Sequence, residues 1–306
     1  MIDSRPLVRV ICGPTGAGKT ELATQCAQFD DIAIVSADSR QVYRAFDVGT
    51  AKPTARDRLA APYYGLDVLE PTERASAAWW ARCAGQWMQD SMASARTPVV
   101  VGGTGLYLRA LFDGLFQEPP MDAMQRAALA TELAPQPVEA LRRWVTQLDP
   151  SRAHLGRTQL LRAIEIAVLT GHRLSDLHRD RATMPRWRAR YLLVDPGAAL
   201  AGQIAERTGR MFTMGWGEEV RDLVRTVPED APAWNASGYR TVHDMVSGLI
   251  THEVAVDRVV IETRQYAKRQ RTWFRHQLAP EHVTRVDPGA GDAREQLRAW
   301  WSGGDT

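Results

Sequence analysis

The chain has 306 residues, 44% of them hydrophobic and 24% charged, with a net charge of +2. That composition suits a soluble globular protein holding one large domain, or a domain with a sizeable insertion. No apolar run approaches the roughly 18 residues of a membrane span, the first residues lack a secretory pattern, and Cys12, Cys26 and Cys83 show no C-x-x-C spacing. A membrane protein, a disulfide framework and a cysteine zinc site are therefore excluded, and a reducing cytoplasm is expected.

The first predicted element is a strand over Leu7–Cys12, "LVRVIC". It runs into "GPTGAGKT" (Gly13, Pro14, Thr15, Gly16, Ala17, Gly18, Lys19, Thr20), which has the spacing of a phosphate-binding loop. Leu22, Ala23, Cys26 and Phe29 then follow at helical spacing. Strand, glycine turn and helix form the context such a loop requires, and an ordinary glycine-rich turn does not explain it. The helix start would aim its free amides and positive dipole end at an anion. Lys19 would reach the terminal phosphate and the Thr20 hydroxyl would ligate Mg²⁺. Backbone amides recognise phosphate oxygens and not the molecule behind them, so the loop alone leaves the substrate open.

Further strand-like runs occur at Ile32–Val35, Val99–Val101 and Tyr191–Val194, with helical patterns between them. That alternation predicts an α/β fold with a parallel sheet, whose ligands sit at the carboxyl ends of the strands. "SADSRQVY" (Ser36–Tyr43) and "GGTGLY" (Gly102–Tyr107) should reach the same edge as the phosphate loop. From residue 116 to 188 the pattern changes: "QEPPMD" signals a helix start, and "ALRRWVTQL" and "QLLRAIEIAVLTG" have helical periodicity. The expected organisation is a first part of the core at 1–115, a helical insertion at 116–188, and the return of the core at 189–306.

The small net charge conceals an uneven distribution. Ser151 to Arg190 carries nine arginines against Glu165, Asp176 and Asp180, a net of +6. Glu262 to His276 carries a net of +4. Two basic segments on an otherwise acidic chain suggest a polyanionic partner, with a solvated arginine-rich surface as the alternative. In the second segment Arg264, Lys268, Arg271 and Arg275 are spaced i, i+4, i+7, i+11, one stripe of a helix. Tyr266, Ala267, Gln270, Trp273 and Phe274 occupy its opposite side. Such a helix could present its basic edge to a nucleic-acid backbone, or simply pack. The chain has only three lysines, Lys19, Lys52 and Lys268, against 35 arginines. These three mark positions where a compact ammonium is preferred to a planar guanidinium.

Taken together, "GPTGAGKT", "SADSRQVYRAFDVGTAKP", "VVVGGTGLYLRAL", "LDP", "GWGEEV", "GYR" and "TRQYAKRQRTWFR" resemble the tRNA dimethylallyltransferases, in family order and over nearly the whole chain. The resemblance implies that the loop holds the pyrophosphate of dimethylallyl diphosphate. The acceptor would be the exocyclic amine of the adenosine on the 3′ side of a tRNA anticodon, flipped out of its stack. It further implies that Asp38 is the general base, that Arg207 and Thr104 act at the reacting centre, and that Mg²⁺ assists. Contacts to tRNA would come from Asp38, Ser39, Arg40, Gln41, Thr104, Arg126, Gln159, Arg162, Gly238, Tyr239, Arg240, Lys268 and Arg271. A cytoplasmic monomer acting on the anticodon stem-loop is the expected form.

The sequence departs from the family in three places. The insertion motif appears as "LGRTQLLR" (Leu155–Arg162) and keeps only Arg162, a usual histidine pair is replaced around "YYGLD" (Tyr63–Asp67), and Gln203 stands where an arginine is usual. Three other readings stay open at this stage. One is a small-molecule kinase or ATPase with Asp195 in "YLLVDP" as a metal ligand. Another is a prenyltransferase acting on free adenine nucleotides, for which two basic segments are superfluous. The third, a non-catalytic RNA-binding protein, leaves Lys19, Thr20 and Asp38 unexplained. The D-D-x-x-D of aspartate-rich isoprenoid synthases is missing, since Asp30–Asp31 is followed by "IAI".

Overall fold

The apolar runs become the strands of a single sheet. In a computed structural model, which describes residues 5–114, 119–180 and 185–303, the chain forms two compact units. One comprises Met1–Phe112 with Arg186–Thr306, and the other Asp113–Pro185.

The first unit begins β1 (Leu7–Cys12), α1 (Lys19–Cys26), β2 (Ile32–Ser36), α2 (Ala55–Ala60), β3 (Tyr63–Tyr64), α3 (Ala77–Ala93), β4 (Thr97–Gly102) and α4 (Gly105–Phe112). The second unit supplies α5 (Ala123–Leu133), α6 (Val138–Leu148), α7 (Arg157–Thr170) and α8 (Leu174–Asp180). The chain then returns with β5 (Arg188–Val194), α9 (Leu200–Thr213), α10 (Trp216–Thr226), α11 (Tyr239–Val246), α12 (His252–Gln277), β6 (Val283–Val286) and α13 (Ala293–Ser302).

The strand order is β3-β2-β4-β1-β5-β6, and every pairing is parallel. The α/β class and parallel sheet expected from the sequence are present. The central strand β1 pairs Cys12 with Gly102 of β4 on one side and with Leu193 of β5 on the other. The segments after β1, β2, β4 and β5 therefore emerge at one edge, where open parallel sheets bind ligands. Ile11, Ile34, Val99, Leu192 and Trp300 belong to the core beneath that edge.

The division between units falls a few residues earlier than expected at both ends. Strand β5 starts at Arg188 because Arg188 pairs in register with Leu7 and its Nε donates to Arg5 O at 2.9 Å. A polar side chain that caps backbone at a sheet end carries no apolar signal, so only Tyr191–Val194 reads as strand in the sequence.

The second unit is helical around Leu133, Leu141, Val145, Leu160, Ile164 and Leu177. Part of the "QEPPMD" signal lies outside the described residues. The remainder provides Asp122, which accepts from Met124 N and Gln125 N at 2.9 Å each and caps α5. Asp149 of "LDP" accepts from Ser151 Oγ at 2.8 Å and from Ser175 N at 2.9 Å, joining the end of α6 to the start of α8. Burial works to raise its carboxyl, but the Ser175 and Ser151 hydrogen bonds and the Arg152 charge outweigh that and hold it below the usual range.

Candidate active site

The phosphate loop leaves β1 and enters α1 through Gly18, which adopts the left-handed conformation as the helix cap. Lys19 Nζ donates to Pro14 O at 2.8 Å, so the ammonium lies along the loop itself. Burial brings Lys19 down from 10.5 to about 8; the Asp38 charge opposes this and Arg207 adds to it. Thr20 is exposed at the first turn of α1. Arg207 projects from α9, and its guanidinium donates to Thr15 Oγ1 at 3.3 Å. Burial lowers its basicity too, with Asp38 again opposing. Two partly desolvated cations thus face the same loop, an arrangement suited to an anion that carries more than one charge.

Asp38 follows β2. Its Oδ1 accepts from Arg40 N at 2.8 Å and Gln41 N at 3.4 Å, a local turn that fixes the carboxylate. The adjoining Ser39 N donates to Thr104 Oγ1 at 3.0 Å, and Thr104 N donates to Ala37 O at 3.1 Å. The segments after β2 and β4 are therefore tied together at Asp38 and Thr104.

Three side chains hold the following segment in place. Gln41 Nε2 donates to Thr50 O and Ala51 O at 3.2 and 3.1 Å, and its Oε1 accepts from Ser36 Oγ at 3.2 Å. Lys52 Nζ donates to Tyr43 O and to the Asp47 and Asp67 carboxylates. Glu219 of α10 accepts from Asp47 N at 3.0 Å, Val48 N at 2.6 Å and the Tyr239 hydroxyl at 2.6 Å.

These segments enclose a cavity of about 450 Å³. Thr15, Gly16, Asp38 and Arg207 line it together, with Tyr266 and Arg269 of α12. Ile204, Met211, Trp216 and Val259 add an apolar wall. Burial pushes the Tyr266 phenol up to about 12, with the Asp38 charge adding to the effect, so it stays protonated beside the carboxylate. The site combines a phosphate loop, two cations, a fixed carboxylate and an apolar surface.

Several residues expected to contact RNA have other work in this fold. Tyr239 is 0% exposed and packs edge-on to Trp216 at 5.4 Å, so it is a core residue and not a surface contact. Gly238 has φ +85°, and a Cβ there would come within 2.4 Å of the Trp216 ring. Gln41 uses its amide on its own segment, as above. Arg271 pairs with Asp195 and donates to Gly197 O, while Arg264 donates to Ala201 O at 3.1 Å. Arg271 thus packs against neighbouring backbone and acid, whereas Arg264, Lys268 and Arg275 are exposed. Arg40 and Arg240 line the cavity. In the second unit Arg126 and Arg162 both pair with Glu165, and Gln159 Oε1 accepts from Gly156 N at 3.1 Å at the start of α7.

Sequence reasoning assigned no role to Glu219, Tyr266 or Gln270. Spacing places Tyr266 and Gln270 on a packing face, and "GWGEEV" by itself gives Glu219 no function. Helical spacing identifies a buried face, but not the backbone groups that the face meets.

Comparison with known proteins agrees with the geometry. The family model described as IPP transferase matches residues 41–277, and one described as isopentenyl transferase matches residues 6–60. The chain is 38% identical over 279 residues to a tRNA dimethylallyltransferase of Cyanothece sp., covering 90% of this chain and 91% of that protein. It is 39% identical to one of Myxococcus xanthus, covering 93% and 96%. The crystal structure of a tRNA delta(2)-isopentenylpyrophosphate transferase from Staphylococcus epidermidis shares 30% identity and a TM-score of 0.67, over 96% of this chain and 97% of that one. A eukaryotic dimethylallyltransferase acting on tRNA has the same fold, with a TM-score of 0.80 at 22% identity over 96% of this chain and 77% of that one. By the extent of these matches, the chain belongs to the tRNA dimethylallyltransferase family of prenyl-transferring enzymes.

Proposed function

We propose that this chain transfers the dimethylallyl group of dimethylallyl diphosphate to the N6 amine of the adenosine 3′-adjacent to the anticodon of tRNA, releasing pyrophosphate. The observation that carries this reading is the shared cavity, in which a carboxylate and a phosphate loop line the same space. The adenosine amine is a weak nucleophile, because its lone pair is delocalised into the ring. As its nitrogen bonds to the allylic carbon, Asp38 takes the N6 proton and the carbon–oxygen bond to diphosphate breaks. Loop amides, Lys19 and Arg207 meet the charge that grows on the leaving oxygens. The Thr104 hydroxyl holds Ser39 N, and with it the orientation of Asp38.

The donor set also suits Mg²⁺. That ion keeps several waters and is usually held by one or two protein oxygens together with substrate phosphates. Thr20 offers one exposed hydroxyl at the loop, and among the described residues no group of three or more His, Cys, Asp or Glu competes for it. When bound, the ion would neutralise charge on the diphosphate oxygens.

Contacts to the RNA are assigned to Ser39, Arg40, Arg240 and Lys268, with Asp38 and Thr104 meeting the adenosine. Arg126, Gln159 and Arg162 remain candidates in the second unit; there Arg126 and Arg162 would exchange their Glu165 pairing for phosphate. The kinase reading loses its metal ligand, because Asp195 is engaged by Arg271 and by Gly197 N.

The test incubates the chain with dimethylallyl diphosphate, Mg²⁺ and total tRNA, followed by nucleoside mass spectrometry. A parallel arm supplies free adenosine monophosphate. One added prenyl group on tRNA adenosine is expected. Prenylation of the free nucleotide alone, or phosphate release from ATP without prenylation, would replace this reading.

A further inference from the structure

Tyr266, Gln270 and Trp273 stand at i, i+4 and i+7 on one face of α12, and that face seats on the segment after β4. Gln270 is 7% exposed, a buried neutral amide. Its Oε1 accepts from Thr15 N of the phosphate loop at 2.8 Å, and its Nε2 donates to Gly103 O at 2.9 Å. The approach is close: a Cβ on Gly103 would lie 2.4 Å from Nε2, and one on Gly105 would lie 2.3 Å from the Trp273 ring.

The chemistry of the pair dictates the residue. One acceptor and one donor are needed on a single planar group, which an amide supplies. Glutamate offers no donor when ionised, and lysine offers no acceptor. Asparagine is one methylene shorter. The bridge joins two segments that meet different parts of the reaction. Thr15 is held through its backbone by Gln270 and through its hydroxyl by Arg207. Gly103 adjoins Thr104, whose hydroxyl accepts from Ser39 N beside Asp38. Hydrogen bonds and adjoining peptide links therefore connect the donor loop through Gln270 to Ser39, the residue next to Asp38.

We propose that Gln270 is a positioning residue that sets the spacing between the phosphate loop and the Thr104–Asp38 side of the cavity. Gln270 does not line the cavity itself. A misplacement of about 1 Å between reacting groups costs on the order of 10²-fold in rate, so a two-ended clamp of this kind is felt in turnover more than in RNA affinity.

The role rests on the prenyl-transfer reading above. Its test uses the full chain with Gln270→Met, which keeps length and bulk, and Gln270→Glu, which keeps the acceptor for Thr15 N. Four quantities are read: kcat at saturating donor and tRNA, the Kd for inorganic pyrophosphate, the Kd for tRNA, and the melting temperature. Gln270→Met should lower kcat by about tenfold to a hundredfold and weaken pyrophosphate by about threefold or more, with tRNA affinity changed by less than about twofold. Gln270→Glu should lower kcat at least as far and carries the test if the methionine variant does not fold. A folded variant whose kcat and pyrophosphate affinity match the wild type would overturn the proposal, even if its melting temperature fell. Should the wild-type chain transfer no prenyl group, the reading of the reaction fails instead, and pyrophosphate binding still decides the role of Gln270.

Discussion

The Lys52 ammonium sits 2.6 Å from the Asp47 carboxylate, with only 3% of the lysine side chain exposed. Its three N–H donors are matched by three acceptors: Tyr43 O, Asp47 and Asp67. A tetrahedral ammonium fits that tripod, and a planar fork of guanidinium donors does not. Lys52→Met should therefore destabilise the fold by about 1–3 kcal/mol, the cost of buried groups left unmatched. Lys52→Arg should fail to restore it. Urea denaturation of the three proteins measures this, and an arginine variant as stable as the wild type would show that charge alone is required.

Asp38→Asn should reduce prenyl transfer by about 10²–10⁴-fold, the usual loss for a missing general base. An asparagine Oδ1 can still accept from Arg40 N and Gln41 N, so the turn should survive. Binding of tRNA to the variant is the control, expected within about twofold of wild type because one neutral substitution removes no phosphate contact. A variant retaining more than about a tenth of the wild-type kcat would remove Asp38 from the base role.

The legible parts of this molecule are those where backbone geometry restricts the choice of residue. The phosphate loop needs left-handed positions at Gly16 and Gly18, and therefore writes glycines into the sequence. Strand ends show as apolar runs stopping at Cys12, Ser36 and Gly102. The stripe on α12 was equally visible, because helical period alone fixes which residues share a face. Its partners were not. Arg271 finds Asp195, which lies 76 positions away and is brought close by β5, and nothing in the spacing of α12 encodes that meeting. Tyr239 illustrates the opposite error. The resemblance carried by "GYR" implies an RNA contact at Tyr239, yet the phenol donates to Glu219 inside an aromatic cluster.

Lys19 gives the site a pH signature. Its folded value of about 8 lies below the ordinary 10.5, so between these values the unfolded chain holds a proton that the folded chain has shed. The donor-free protein should accordingly gain stability as pH rises across that window. Donor binding should show the reverse trend, since the diphosphate calls for the ammonium. Affinity for dimethylallyl diphosphate should weaken as pH rises through about 8, and proton uptake should accompany binding above that pH. Lys19→Ala should bind more weakly throughout and lose the pH step. Calorimetry in buffers of different ionisation enthalpy measures the uptake, and an identical pH profile in the alanine variant would assign the step to another group.

The last prediction separates two kinds of cation on α12. Arg271 is committed to Asp195 and Gly197 O, whereas Lys268 and Arg275 lie exposed on the same helix. A cation that already has an acid partner must give up that pairing before it can meet a phosphate. An exposed cation gives up only water and counterions. Changing Lys268 and Arg275 to Gln together should weaken tRNA binding and reduce the slope of log K against log[salt] by about 0.7–0.9 per lost contact. Affinity for dimethylallyl diphosphate should not change, because neither residue lines the phosphate loop. Arg271→Gln should behave differently, with a lower melting temperature and a nearly unaltered salt slope, since it removes the charge partner of Asp195 and no RNA contact. Salt titrations of tRNA binding alongside thermal melts distinguish the two. If Arg271→Gln alone flattened the salt slope while Lys268→Gln/Arg275→Gln left it intact, the RNA would be displacing the Asp195 pairing, and the exposed edge of α12 would be solvated surface.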